Sequence, residues 1–169
     1  MVIRHAPLRV KIIGLVVAFI LLAGGAAAWF VLQSHQAIVL PQEVVSKTLF
    51  PIYVPSQLPA GFTLDDKTIG NDGDVLVFQI KDESNRVIAI TEQSIPANFN
   101  FTDFYEKQVK GARTLGGTPF HSVIGESITK EGPGFKMLSI RADNTWVMVS
   151  GQNIGDSELE FIAKNLRKL

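Results

Sequence analysis

The sequence predicts an α+β domain: an antiparallel sheet of five to seven strands packed with two main helices, preceded by a single N-terminal transmembrane helix. Three observations point there. Residues Ile12 to Leu32 run for 21 positions without a charge. From Gly61 to Gly151, β-branched and aromatic runs alternate with Gly, Asn and Asp turns. The chain then closes on a serine-led stretch whose apolar residues recur at helical spacing.

The first run is long enough to span a bilayer, at about 31 Å as a helix. Arg4, Arg9 and Lys11 precede it and no acid does, whereas Gln33 to Leu169 holds 13 basic and 16 acidic residues. The positive-inside rule therefore puts residues 1–11 in the cytoplasm as a short basic tail and the remainder outside the cell membrane. Residues 12–32 engage the lipid bilayer, with Trp29 and Phe30 near the outer interface. A cleaved signal peptide is the alternative, since Ala26-Ala27-Ala28 offers small residues at the cleavage spacing. The apolar run continues through Trp29 to Leu32, longer than a signal h-region, and this favours a retained anchor.

Residues 33–49 form a juxtamembrane segment with a short helix over PQEVVSKTLF, opened by Pro41 and ended by Pro51. Residues 50–169 form the extracytoplasmic domain. Pro51, Pro55 and Pro59 forbid a long regular element, yet Ile52, Tyr53, Val54, Leu58 and Phe62 are too apolar for a linker. That segment is expected to be extended and strapped across the core. Phe62–Asp65 and Lys67–Ile69 read as short strands or two halves of one bulged strand. Val75–Lys81 and Arg86–Gln93 are the arms of a hairpin. Thr102 is expected to cap a helix running to about Lys110, with Gly111 ending it. Arg113–Leu115 and Phe120–Ile124 are further strands, and Phe135–Arg141 with Thr145–Gly151 makes a second hairpin. Ser157 and Glu160 fit a capping box ahead of Leu159, Ile162, Ala163, Leu166 and Leu169.

Composition narrows the function. Sixteen basic and sixteen acidic residues give a net charge of zero, which argues against a nucleic-acid partner. The absence of cysteine excludes a disulfide scaffold, a thiolate metal site and a cysteine nucleophile. His121 and Glu126 are too few for a zinc site. Asp72 and Asp74 lack the distal glutamate of a calcium loop and read as turn formers. GARTLGG, residues 111–117, lacks the Gly-Lys-Ser/Thr of a phosphate loop. No G-x-S-x-G elbow occurs, and no catalytic, metal or cofactor residue is assigned.

The order of features carries a resemblance. Pro55-Ser56-Gln57-Leu58-Pro59-Ala60-Gly61-Phe62 precedes a hairpin, Asp143-Asn144-Thr145-Trp146-Val147-Met148-Val149-Ser150 forms a turn-Trp-strand phrase, and a serine-capped helix closes the chain. From about Phe50 to Leu169 this resembles an uncharacterised extracytoplasmic α+β domain of bacterial single-pass membrane proteins. That domain is often the outer part of anti-sigma-like envelope regulators. The resemblance implies a small domain outside the membrane and carries no catalytic residues. An anti-sigma protein also needs a cytoplasmic domain, which 11 residues cannot supply.

The expected function is a membrane-anchored, non-catalytic binding or sensing domain of the cell envelope, with an envelope protein, peptide or glycan as candidate partner. Tyr53, Trp146 and His121 are its candidate ligand or partner surface. Tryptophan in a sheet is more often core, so Trp146 has a structural reading as well. A small membrane-tethered envelope hydrolase is the alternative. A pilin-like subunit is a third, weakened by the missing processing glutamate.

Overall fold

The computed structural model describes residues 37–128 and 134–169. The expected membrane helix and its orientation lie outside the described residues. Within them, no helix is long and apolar enough to cross a membrane. Contacts divide the chain into residues 1–35 and a compact unit of residues 36–169.

The elements of that unit are α1 (Gln42–Lys47), β1 (Tyr53–Pro55), β2 (Thr63–Asn71), β3 (Val75–Lys81), β4 (Val87–Ser94), α2 (Phe101–Gln108), β5 (Val109–Thr114), β6 (His121–Ser127), β7 (Lys136–Ala142), β8 (Thr145–Gly151), α3 (Asp156–Asn165) and β9 (Leu166–Lys168). Seven strands form one antiparallel sheet in the order β2-β3-β4-β8-β7-β6-β5. Two meanders, β2-β3-β4 and β5 to β8, are joined through α2 and meet where β4 pairs with β8. The α+β architecture and the seven-stranded sheet agree with the expectation.

Alternation decides which side chains enter the core. Leu76, Phe78 and Ile80 of β3 align with Ile88 and Ile90 of β4, and with Val147, Val149, Leu138 and Ile140 beyond them; all are fully buried. α3 covers this face with Leu159, Ile162 and Ala163. Ile38 and Leu40 also belong to this core, so the packed unit begins ahead of Phe50, within the segment expected to lead away from the membrane.

The proline-rich segment is the expected strap, and it has a partner that the helical pattern concealed. β1 pairs antiparallel with β9, the last three residues before Leu169. Ser56 donates its N–H to the Asn165 carbonyl at 2.8 Å, and Leu169 donates to that of Ile52 at 3.0 Å. The C-terminal helix therefore ends at Asn165, and Arg167 and Lys168 lie on a strand instead of the helix terminus. The expected cap shifts too: Gly155 is the N-cap, and its N–H donates to Glu158 Oε2 at 3.0 Å. At α2 the cap is Asn100, not Thr102; its Oδ1 accepts from the Asp103 N–H at 3.1 Å. The chain leaves α2 straight into β5, with Gly111 at φ +65 inside a bulge between Lys110 and Arg113. Phe62–Ile69 resolves into one bulged strand, with the register shifting between Asp65 and Gly70.

Candidate functional site

The sheet's other face is only partly covered. Val75, Val77, Gln79, Ala89, Thr91, Met148 and Ser150 are half-buried there. Over β8, β7 and β6 lies α2, because the chain supplies Phe99, Phe101, Phe104 and Tyr105 on the side that meets the sheet. The three phenylalanine rings enclose Trp146: centroid distances are 4.7 Å to Phe99, 5.4 Å to Phe101 and 5.1 Å to Phe104. A short helix with no fully buried residue of its own is thereby fixed by aromatic packing. Ser139 ties the arrangement down. It accepts the Trp146 Nε1–H at 2.8 Å, and its hydroxyl lies 3.1 Å from that of Tyr105.

Strand register sets a polar row beside this cluster. His121 of β6 pairs with Arg141 of β7, which pairs with Trp146 of β8, which pairs with Gln93 of β4. Neighbouring strands at one register point their side chains to one face. The Arg141 guanidinium carbon lies 4.9 Å from the Phe101 ring centroid, a cation–π contact. The Nε of Arg141 is buried and has no hydrogen-bond partner.

His121 and Arg141 line a pocket of about 310 Å³ between α2 and strands β5–β7. Phe101, Tyr105, Ala112 and Val123 give it apolar walls; Thr102, Thr114 and the stem of Arg113 complete it. Arg113 is already paired, with Asp156 at 3.1 Å and Glu160 at 2.8 Å. The lining contains no acid. Burial and the Arg141 charge hold the His121 imidazole below its ordinary value of 6.5, so it is neutral at pH 7. Burial raises the Tyr105 phenol, with Ser139 and Arg141 opposing.

The three residues expected at a ligand surface are thus separated by depth. His121 is exposed and lines the pocket. Trp146, 5% exposed, stands behind it as the anchor of α2. Tyr53 is fully buried on the opposite, core face. Its hydroxyl donates to Asp143 Oδ2 at 2.5 Å, and burial with that bond pushes its phenol up to about 12. Tyr53 presents no surface of its own and Trp146 very little. Arg141, which is not among the three, lines the pocket beside His121. The available signal was an arginine alone in the strand MLSIRA, with an aromatic cluster nearby in sequence.

A second unexpected group is Glu92, buried at 0% exposure on the core face. Its Oε2 accepts the Tyr53 N–H at 2.9 Å, while Oε1 has no partner. Burial raises its carboxyl from 4.5 to about 8. A carboxyl raised this far within a cleft would be a candidate acid–base group. This one is sealed from solvent beneath β1, so substrate does not reach it.

A larger cleft of about 440 Å³ opens at the β3–β4 turn, lined by Asn85, Gln152, Asn153, Ser150, Val87 and Phe135 among others. Its one cation, Arg86, is bound to Asp82 at 2.7 Å and Glu158 at 3.0 Å. Among the described residues, no group of three or more His, Asp or Glu side chains is placed to hold a metal. Asp72 acts in the β2–β3 turn, where its Oδ1 accepts from the N–H groups of Asp74 and Val75.

No protein-family model matches the chain, so the likeness to anti-sigma-like regulators has no family model behind it. No curated protein matches it either. Among solved structures, it is similar to the solution structure of cyanobacterial PsbP (CyanoP) from Synechocystis sp. PCC 6803, at 10% identity and a TM-score of 0.45. The match covers 81% of this chain and 94% of that one. Similarity at this distance assigns neither a family nor a function.

Proposed function

We propose that this chain is a membrane-tethered, extracytoplasmic, non-catalytic binding domain, and that its binding site is the pocket between α2 and β5–β7. The carrying observation is the state of Arg141. Among the described residues it makes no ion pair, its Nε is buried without a partner, and it lines a pocket that contains no acid. An arginine partly withdrawn from water normally has a partner. Nε itself is out of a ligand's reach, and the two terminal guanidinium nitrogens are what the open side of the pocket can offer a partner. His121 stands at the rim of this site and Trp146 holds its helical wall, while Tyr53 supports the opposite face. The uncharged run 12–32 and its basic flank support the tethering and the outward orientation.

The reading is tested by fragment binding to the isotopically labelled full chain in lipid nanodiscs, mapped by amide shift changes. Binding fragments are expected to cluster on Phe101, Thr114, His121 and Arg141. Hits confined to the Asn85–Asn153 cleft, or spread without preference, would contradict it.

A further inference from the structure

We infer that the Arg141 pocket takes a monocarboxylate with an apolar body, the carboxylate lying on the Arg141 guanidinium and the body against Phe101, Tyr105 and Val123. The inference rests on the reading of this pocket as the binding site and adds the chemical class of its ligand.

Charge selects the class. Among the described residues the Arg141 guanidinium makes no ion pair, whereas that of Arg113 is spent on Asp156 and Glu160. His121 is neutral at pH 7, because burial and the Arg141 charge both disfavour its protonation. The pocket therefore offers a single positive charge, which matches a monoanion and leaves a phosphate dianion half neutralised. Geometry selects a carboxylate among monoanions. The planar guanidinium lies over Phe101, 4.9 Å from the ring centroid, and its two terminal nitrogens fit two carboxylate oxygens at once. Thr102 and Thr114 add hydroxyl donors at the wall. The walls admit the body: Phe101, Tyr105, Ala112 and Val123 form the apolar part of an open pocket of about 310 Å³, at the small end of ligand pockets. A free small acid and the C-terminus of a peptide share this chemistry.

The test uses the full chain in lipid nanodiscs, with Trp29→Phe so that Trp146 is the remaining fluorophore of the two tryptophans. Binding is read by Trp146 emission and, independently, by calorimetry. The probes are 3-phenylpropionate, its uncharged amide, and N-acetylphenylalanine as a peptide-terminus mimic. Saturable binding of the acid is expected, with the amide weaker by about tenfold or more. Arg141→Met is expected to remove that preference, and Arg141→Lys to lose part of it. The acid–amide comparison on the unsubstituted pocket needs no variant to fold. Tighter binding of N-acetylphenylalanine supports the carboxylate and points to a peptide end; equal binding supports it and points to a free acid. Equal affinity for acid and amide, or an acid affinity unchanged in Arg141→Met, overturns the proposal. If uncharged fragments occupy the pocket and the acids do not, the binding-site reading survives and the carboxylate inference fails. If nothing occupies it, both fall.

Discussion

Glu92 shows how one side chain can set the pH response of a fold. It occupies a core position in the alternation Ile88, Ile90, Glu92, opposite Leu76 and Val147. Its carboxyl stays protonated in the folded chain to about pH 8, against an ordinary value of 4.5. Between those values the unfolded chain has lost a proton that the folded chain keeps, so stability falls as pH rises through the window. The Glu92 contribution is fully present below 4.5 and lost by about 8. Glu92→Gln keeps an acceptor for the Tyr53 N–H and removes the titration. Thermal melts should show the variant close to the parent at pH 5 and more stable at pH 8, with a flatter profile between. A parallel profile would mean that Glu92 is not the titrating group. Both Glu92 and Arg141 left marks in the sequence. A carboxylate on an apolar stripe and an arginine inside an apolar strand break the pattern around them. What the sequence did not carry was register. Only strand pairing brings His121 opposite Arg141, and only the fold of α2 lays Phe101 over it.

At the scale of elements, α3 and the β1–β9 ribbon close the core. Ile162 is fully buried, so Ile162→Asp would bury an unpaired charge and should cost several kcal/mol, enough to abolish the cooperative melt. Leu166, 4% exposed, is expected to cost about 2–5 kcal/mol when truncated to alanine. Its role differs from the one that periodicity implies, since Leu166 enters the core from β9 after the helix has ended. A helix stripe and a short strand share this leucine, and spacing alone does not separate them. Truncation after Asn165 tests the ribbon itself. It removes the partner of β1 and should uncover Tyr53 and Glu92, read as faster hydrogen exchange at the Tyr53 amide and a lower melting temperature. An unchanged exchange rate would show that β9 is dispensable. The hairpins were more legible. β3 and β8 have the expected bounds, and β4 and β7 are each displaced by one residue, because each is a long alternating run between strong turn residues. For β5 the sequence pattern marks only Arg113 onward. Its first residues follow a helix directly, and all of it after Val109 is exposed, so no apolar alternation marks it.

For the whole molecule, the packed unit of residues 36–169 contains its own core, including Ile38 and Leu40. A fragment starting at residue 36 should therefore fold without metal or reductant, with a melt insensitive to chelator. A fragment starting at Phe50 lacks two buried residues and should melt lower. The proposal of an outward-facing binding domain stands most directly on topology. The chain has no cysteine, so a single introduced thiol reports its side of the membrane without background. Ser84 is exposed in the β3–β4 turn, away from the Arg141 pocket. In intact cells, Ser84→Cys in the full chain should react with a membrane-impermeant maleimide as completely as after permeabilisation. Labelling that appears only after permeabilisation would place the domain inside the cell and contradict the proposed function at its base.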